Sequence, residues 1–71
     1  METTVTFTDR QIEVIEGIAR GLSREEMGAE IGIHPATVKA HLDLVRRKLG
    51  VEHARQVPAA YKALTGQDPY P

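Results

Sequence analysis

Signals that start and stop helices follow one another closely along this chain, and their spacing constrains the fold more than any other feature. Thr8 and Gln11 have the capping-box spacing, in which each side chain satisfies a free backbone N–H group at the start of a helix. The same spacing recurs at Ser23 and Glu26. Glycine, which commonly follows the end of a helix, closes each apolar segment, at Gly21, Gly32, Gly50 and Gly66. Segments this short must fold back on one another, which predicts several short packed helices.

The apolar residues between these signals recur at helical spacing and do not alternate as in a strand. In the first helix the expected buried positions are Ile12, Ile15, Ala19 and Leu22, with Val14 and Ile18 beside them. The second helix is expected to turn Met27 and Ile31 inward. The third starts at Pro35, which suits a first helical position because the N–H that proline lacks has no partner there. Its expected buried positions are Val38, Leu42, Val45 and Leu49.

A fourth helix is expected from about residue 54 to 65. Its apolar positions are Val57, Ala60, Tyr61 and Leu64. Pro58 is compatible with it only in the first turn, where no backbone hydrogen bond is lost. The predicted fold class is therefore all-α, with four helices in one domain over residues 1–71. Within it we expect a lead-in over residues 1–7, a core over about 7–65 and a tail over 66–71.

Composition excludes several classes of protein. A chain of 71 residues is near the lower limit for one self-sufficient core, and 41% hydrophobic residues with 27% charged ones is typical of a globular domain. No cysteine is present, so disulfides and thiolate metal sites are excluded. The sequence has no apolar run of membrane-spanning length and no pattern of a signal peptide. We therefore expect a cytoplasmic protein without a membrane partner.

The charges are unevenly distributed, although the net charge of the chain is only −1. Residues 1–33 carry three basic and seven acidic residues, a balance of −4. Residues 34–55 carry five basic and two acidic residues, a balance of +3, and they include all three histidines. A local cationic patch attracts phosphates even on a nearly neutral chain. We expect the cations that follow Pro35 to gather on one outward side of the third helix, with the acidic residues pointing elsewhere.

Two helices joined by a tight turn, the second carrying exposed Lys and Thr, form a helix-turn-helix arrangement. Over about residues 7–64 the chain resembles the LuxR-type (GerE-like) DNA-binding domain. The resemblance rests on "FTDRQ", on "VIEGIARGLS" and above all on "TVKAHLDLVRRKLGV". It implies a four-helix helix-turn-helix fold and a sequence-specific DNA-binding transcriptional regulator. The recognition helix, about residues 35–49, would lie in the major groove.

The resemblance also implies roles for single residues. Lys39 matches the lysine that reaches base edges or phosphates, and a few side chains around Lys39, Ala40 and Asp43 would discriminate bases. The positions implied near DNA phosphates are Ser23, Thr37, His41 and Lys48. We expect at least one of Arg46, Arg47 and Lys48 to contact phosphate. The fourth helix would form a homodimer through Val57, Tyr61 and Leu64.

Three departures from the family pattern bear on these roles. His34 stands where the family usually has serine, which predicts the loss of the best capping side chain at the start of the third helix. Leu44 stands where asparagine is frequent. Asp43 lies where relatives often carry a polar or basic residue; we expect it to pair with Lys39 and Arg47 along the helix, and acceptance from cytosine N4 is the alternative.

Two other functions remain open. Acidic Glu25 and Glu26 near the presumed phosphate path, together with Asp43, favour an interaction module that binds no DNA and pairs with another regulator or with RNA polymerase or its sigma factor. A promoter-binding domain like that of a sigma factor has the same helical pattern.

Catalysis is not expected, because no nucleophile with its base, no phosphate-binding glycine loop and no cofactor motif is present. Glu25 and Glu26 are explained as acidic residues in a first helical turn. The irregular spacing of His34, His41 and His53 does not indicate a metal site, and no cofactor is expected. The chain could be free-standing or the effector domain of a longer regulator; we expect a complete short protein.

Overall fold

The computed structural model describes residues 5–70; residues 1–4 of the predicted lead-in and residue 71 of the predicted tail lie outside the described part. Within residues 5–70 four α-helices and one 3-10 turn occur, and no strand. The helices are α1 (Asp9–Ala19), α2 (Arg24–Ile31), α3 (Pro35–Leu49) and α4 (Val57–Thr65). The predicted all-α, four-helix fold is confirmed. The expected first turn of the fourth helix is the 3-10 turn Ala54–Gln56, so that Pro58 falls in the first turn of α4.

Both predicted capping boxes are present. The Thr8 hydroxyl accepts from the Gln11 N–H at 3.1 Å, and the Gln11 side chain accepts from the Thr8 N–H at 3.0 Å. The Ser23 hydroxyl accepts from the Glu26 N–H at 3.1 Å, and Glu26 Oε1 accepts from the Ser23 N–H at 2.8 Å. A capping side chain of this kind typically contributes about 1 kcal/mol to helix stability. Local sequence thus fixes where α1 and α2 begin.

The start of α3 is capped by the residue that replaces the family's serine. His34 does supply a capping side chain, because its Nδ1 accepts a hydrogen bond from the Ala36 N–H at 3.0 Å. An imidazole nitrogen can accept in this way when it carries no proton. The helix ends at Leu49, and the capping residue that follows, Gly50, has a left-handed φ of 69°, which suits glycine.

The core collects side chains from all four helices. Its buried members are Val14, Ile15, Met27, Val38, Leu42, Val45, Val57 and Tyr61. The prediction for α1 was wrong at Ile12 and Ala19, which are only partly buried and lie outside this cluster. Because α1 contacts α2, α3 and α4, its buried face is centred on Val14 and Ile15, with Ile18 and Leu22 packing beside them. The helix α3 also contacts each of the other helices and is therefore held rigidly by the core.

The turn between α2 and α3 depends on a close approach at Gly28. The carbonyl of Gly28 accepts from the N–H groups of Gly32 and Ile33, at 2.8 and 2.9 Å. A Cβ atom at Gly28 would lie 2.5 Å from the Ile33 carbonyl oxygen and 3.4 Å from the Pro35 nitrogen. The backbone of α2 therefore touches the segment that leads into α3. This contact fixes the turn of the helix-turn-helix and hence the direction of α3.

Candidate nucleic-acid interface

One side of α3 faces away from the core. Ala36, Ala40 and Arg47 are all exposed and are separated by four and seven residues, a spacing that places them on one face. The fully buried Val38 and Val45 lie on the opposite face. Arg47 forms no ion pair with any side chain among residues 5–70. A rigid helix thus presents two alanines and Leu44, which follows Ala40 by four residues and is 44% exposed, with Arg47 as an unpaired cation at its C-terminal end.

A cluster of three charged side chains borders this face. Lys39 Nζ donates to Asp43 Oδ2 at 3.1 Å, and Arg46 Nη2 donates to Asp43 Oδ1 at 2.5 Å. The second terminal nitrogen of Arg46 donates to the backbone carbonyl of Glu52. Hydrogen bonds from Arg46, and then from Lys39, lower the pKa of the Asp43 carboxyl. Asp43 is therefore a carboxylate held between two cations.

The pairing of Asp43 agrees with the prediction for Lys39 but not for Arg47. The partner at the C-terminal side is Arg46, three residues away, and Arg47 points outward. The expectation that the cations gather on one outward side is therefore wrong, and so is the expectation that the acidic residues point elsewhere, because Asp43 lies between Lys39 and Arg46. Lys39 and Arg46 lie along one edge of α3 with Asp43 among them, whereas Arg47 occupies the exposed face.

Thr37, His41 and Lys48 lie along the other edge of α3, at helical spacing. Thr37 is exposed and His41 is partly buried. Lys48 Nζ donates to the Thr6 carbonyl at 2.7 Å and to Gln11 Oε1 at 2.8 Å. The same ammonium group lies 5.3 Å from the centre of the Phe7 ring. Lys48 thus fastens the N-terminal segment to α3, a structural role that sequence reasoning missed.

The beginning of α2 adjoins the beginning of α3. A shallow depression between them is lined by Ser23, Arg24, Glu25, Pro35, Ala36 and Lys39. Glu26 folds back onto Ser23, and hydrogen bonds from the Ser23 backbone and hydroxyl lower the pKa of its carboxyl. Glu25, in contrast, shares the depression with Lys39. Arg24 was not among the predicted site residues. Its position next to Ser23, which was predicted to lie near DNA phosphates, could have indicated it.

Two of the three predicted dimer residues belong to the core. Val57 is 0% exposed and Tyr61 only 4%. The Tyr61 ring packs edge-on against Phe7, with ring centres 5.2 Å apart. This placement corrects the prediction for both, because neither side chain offers surface to a second copy. Leu64 is 52% exposed and remains accessible.

The part of α4 near Tyr61 is also contacted by the chain that follows it. The Tyr61 hydroxyl lies 3.4 Å from Gln67 Oε1, and Lys62 pairs with Asp68 at 3.6 Å. Pro69 is buried. The described part of the predicted tail therefore folds back and packs onto the domain.

Over residues 5–70, no three side chains of the metal-binding types come together as a group that could hold an ion. Among the helices of that same range, none has the length and apolar character to cross a membrane.

Four short helices, a glycine-dependent turn between α2 and α3, and an exposed face on a rigid α3 define a helix-turn-helix domain. Residues 5–59 match the family of bacterial regulatory proteins described as the luxR family. The chain belongs to this family and has its helix-turn-helix fold.

Curated relatives agree with this assignment. The chain is 42% identical over 50 residues to a nitrate/nitrite response regulator protein homolog of Haemophilus influenzae, covering 70% of this chain and 24% of the relative. It is 39% identical over 47 residues to the transcriptional regulatory protein UhpA of Escherichia coli, covering 66% and 24%. It is 37% identical over 51 residues to the putative HTH-type transcriptional regulator YhjB of the same species, covering 72% and 26%. The chain thus spans about a quarter of the length of these relatives. No solved structure matches it significantly.

Proposed function

We propose that the protein binds double-stranded DNA sequence-specifically, with α3 in the major groove. The observation that carries this proposal is the exposed face of α3. Ala36 and Ala40 are small enough to let the helix approach base edges closely, and Arg47 has no partner within residues 5–70 that would compete with a phosphate. The core and the Gly28 contact hold this face rigidly, which favours a fixed docking geometry.

The proposed contacts follow from where each side chain lies. Lys39, Ala40 and Asp43 would meet base edges. Arg47 is the main phosphate contact, and weaker ones come from the exposed hydroxyls of Ser23 and Thr37 and from His41. Arg46 and Lys48 already have partners inside the domain, so we assign them secondary contacts.

The proposed assembly is a homodimer on paired half-sites, because a single module of this size makes few contacts and two linked modules multiply them. Its interface would use the exposed side of α4 around Leu64. We further propose that the protein acts in the cytoplasm and catalyses no reaction. RNA polymerase or another regulator is the proposed second partner. The stoichiometry of the protein–DNA complex tests the dimer.

Replacing Arg47 with alanine is expected to weaken DNA binding about tenfold at about 0.1 M salt, because each phosphate neutralised by a cation releases counterions. The slope of log affinity against log salt should become shallower by about 1. Fluorescence anisotropy of a labelled duplex, repeated at several salt concentrations, measures both quantities. Arg20→Ala is the matched control, since that arginine lies just after α1, away from the exposed face of α3, and pairs with Glu30 on α2.

The rival function, protein interaction without DNA binding, is favoured by the pairing of Lys39 with Asp43 and by Glu25 in the depression beside it. If the unmodified protein failed to bind any duplex at low salt, this rival would replace the proposal. Equal losses of affinity in Arg47→Ala and Arg20→Ala would mean that the exposed face of α3 is not the contact surface.

A further inference from the structure

Asp43 occupies a position on α3 where a free carboxylate would repel the phosphates of DNA. It lies one turn from Lys39 and close to the face formed by Ala36, Ala40 and Arg47. Its side chain is 31% exposed, that of Lys39 is 56% exposed and that of Arg46 is 33% exposed. The carboxylate and both cations are therefore accessible to a ligand that approaches α3.

The two cations are held with different strength. Arg46 uses one nitrogen on Asp43 and the other on the Glu52 carbonyl, which anchors it across the end of α3. Lys39 makes only the longer contact with Asp43 and keeps more than half of its side chain exposed. A ligand can therefore detach Lys39 from Asp43 more easily than it can detach Arg46.

From this geometry we propose that Asp43 determines sequence specificity by reducing the affinity for DNA of arbitrary sequence. Such DNA offers mainly phosphates, and a phosphate that contacts Lys39 must displace the Asp43 carboxylate and then remain beside it. Coulomb repulsion between the two anions opposes this exchange. The inference rests on the proposed function, because it assumes that this edge of α3 meets DNA.

A suitable base pair removes that penalty. In the major groove guanine presents the acceptors O6 and N7, and its cytosine partner presents the N4 amino donor. Lys39 can donate to the guanine while Asp43 accepts from the cytosine, so that neither side chain loses a partner without replacement. Lys39 and Asp43 together therefore favour a G·C base pair at this position of the operator over contact with phosphates alone.

The test compares the unmodified protein with Asp43→Asn, which keeps the shape of the side chain and removes its charge. Glu30→Gln is the matched control: it changes the net charge equally, at the exposed ion pair between Arg20 and Glu30. Each protein is titrated against a mixed-sequence duplex and against a duplex that the unmodified protein has selected from a random pool. Circular dichroism confirms that the helices are retained.

Asp43→Asn is expected to bind the mixed-sequence duplex about tenfold more tightly at about 0.1 M salt, with a salt slope steeper by about 1, because Lys39 becomes available to a phosphate. The ratio of affinities between selected and mixed duplexes should fall by about tenfold or more. Glu30→Gln should leave the slope and this ratio unchanged.

An unchanged ratio in Asp43→Asn, or the same gain in affinity in both variants, would overturn the role of Asp43 and leave the proposed function standing. If the unmodified protein bound neither duplex in a salt-dependent way, the proposed function would fail and this inference with it.

Discussion

Replacing Gly28 with alanine is expected to destabilise the domain by about 3 kcal/mol, the cost of forcing atoms into a site with no room for them. The new methyl group would lie 2.5 Å from the Ile33 carbonyl oxygen, and this oxygen belongs to the backbone of the turn. Helix propensity alone predicts the opposite sign, because alanine favours a helix interior over glycine by about 1 kcal/mol. A loss of stability in Gly28→Ala would therefore show that the close approach outweighs helix propensity, and a gain would show the reverse.

Gly17→Ala is the matched control for this substitution. Gly17 is also a buried helical glycine, and a Cβ there would lie 2.5 Å from the Met27 sulfur and 2.6 Å from Met27 Cγ. Both atoms belong to one flexible side chain, which can repack within the core where a backbone carbonyl cannot. We therefore expect Gly17→Ala to cost about 1 kcal/mol, clearly less than Gly28→Ala. Urea unfolding followed by circular dichroism measures both variants. A Gly28→Ala protein as stable as the unmodified one would contradict the described turn between α2 and α3.

Replacing Ile15 with alanine is expected to lower the free energy of unfolding by about 3 kcal/mol. Ile15 is fully buried where α1 meets the other helices, and truncation removes buried methyl groups and leaves a cavity. A single core in a chain of this size rarely supplies more than about 3–5 kcal/mol. Most of the Ile15→Ala protein should therefore be unfolded near physiological temperature.

Ile12→Ala provides the comparison, because it makes the same chemical change three residues earlier on α1. Ile12 is only partly buried and lies outside the core cluster, so its truncation should cost less than about 1 kcal/mol. Chemical unfolding of the two variants under identical conditions gives the difference directly. Equal losses of stability would contradict the described orientation of α1.

Helix boundaries were predictable because the signals that set them are local. The capping boxes at Thr8 and Ser23, and the glycine that ends α3, act within one turn of the chain and were all confirmed. The pairing of Lys39 with Asp43 also depends only on the spacing of four residues along one helix. The capping role of His34 was missed because the sequence does not show which ring nitrogen is free to accept.

Features that depend on tertiary packing were not predictable in the same way. Ile12 and Ile15 are equivalent in an apolar pattern, and only the arrangement of α2, α3 and α4 around α1 decides which is buried. Lys48 contacts a carbonyl 42 residues earlier in the chain, and no local pattern indicates that contact. Val57 and Tyr61 were assigned to a dimer surface from the resemblance, but packing on Phe7 and the core places them inside.

The central claim is that the exposed face of α3 is the surface that meets DNA. Backbone amide resonances of ¹⁵N-labelled protein, followed during titration with a duplex selected from a random pool, test this claim most directly. We predict that the largest shifts occur at Ala36, Ala40 and Arg47 and at the adjoining Ser23, with little change at the exposed Glu13 and Glu16 on α1. Large shifts confined to α1 or α4, with those α3 amides unchanged at saturation, would contradict it.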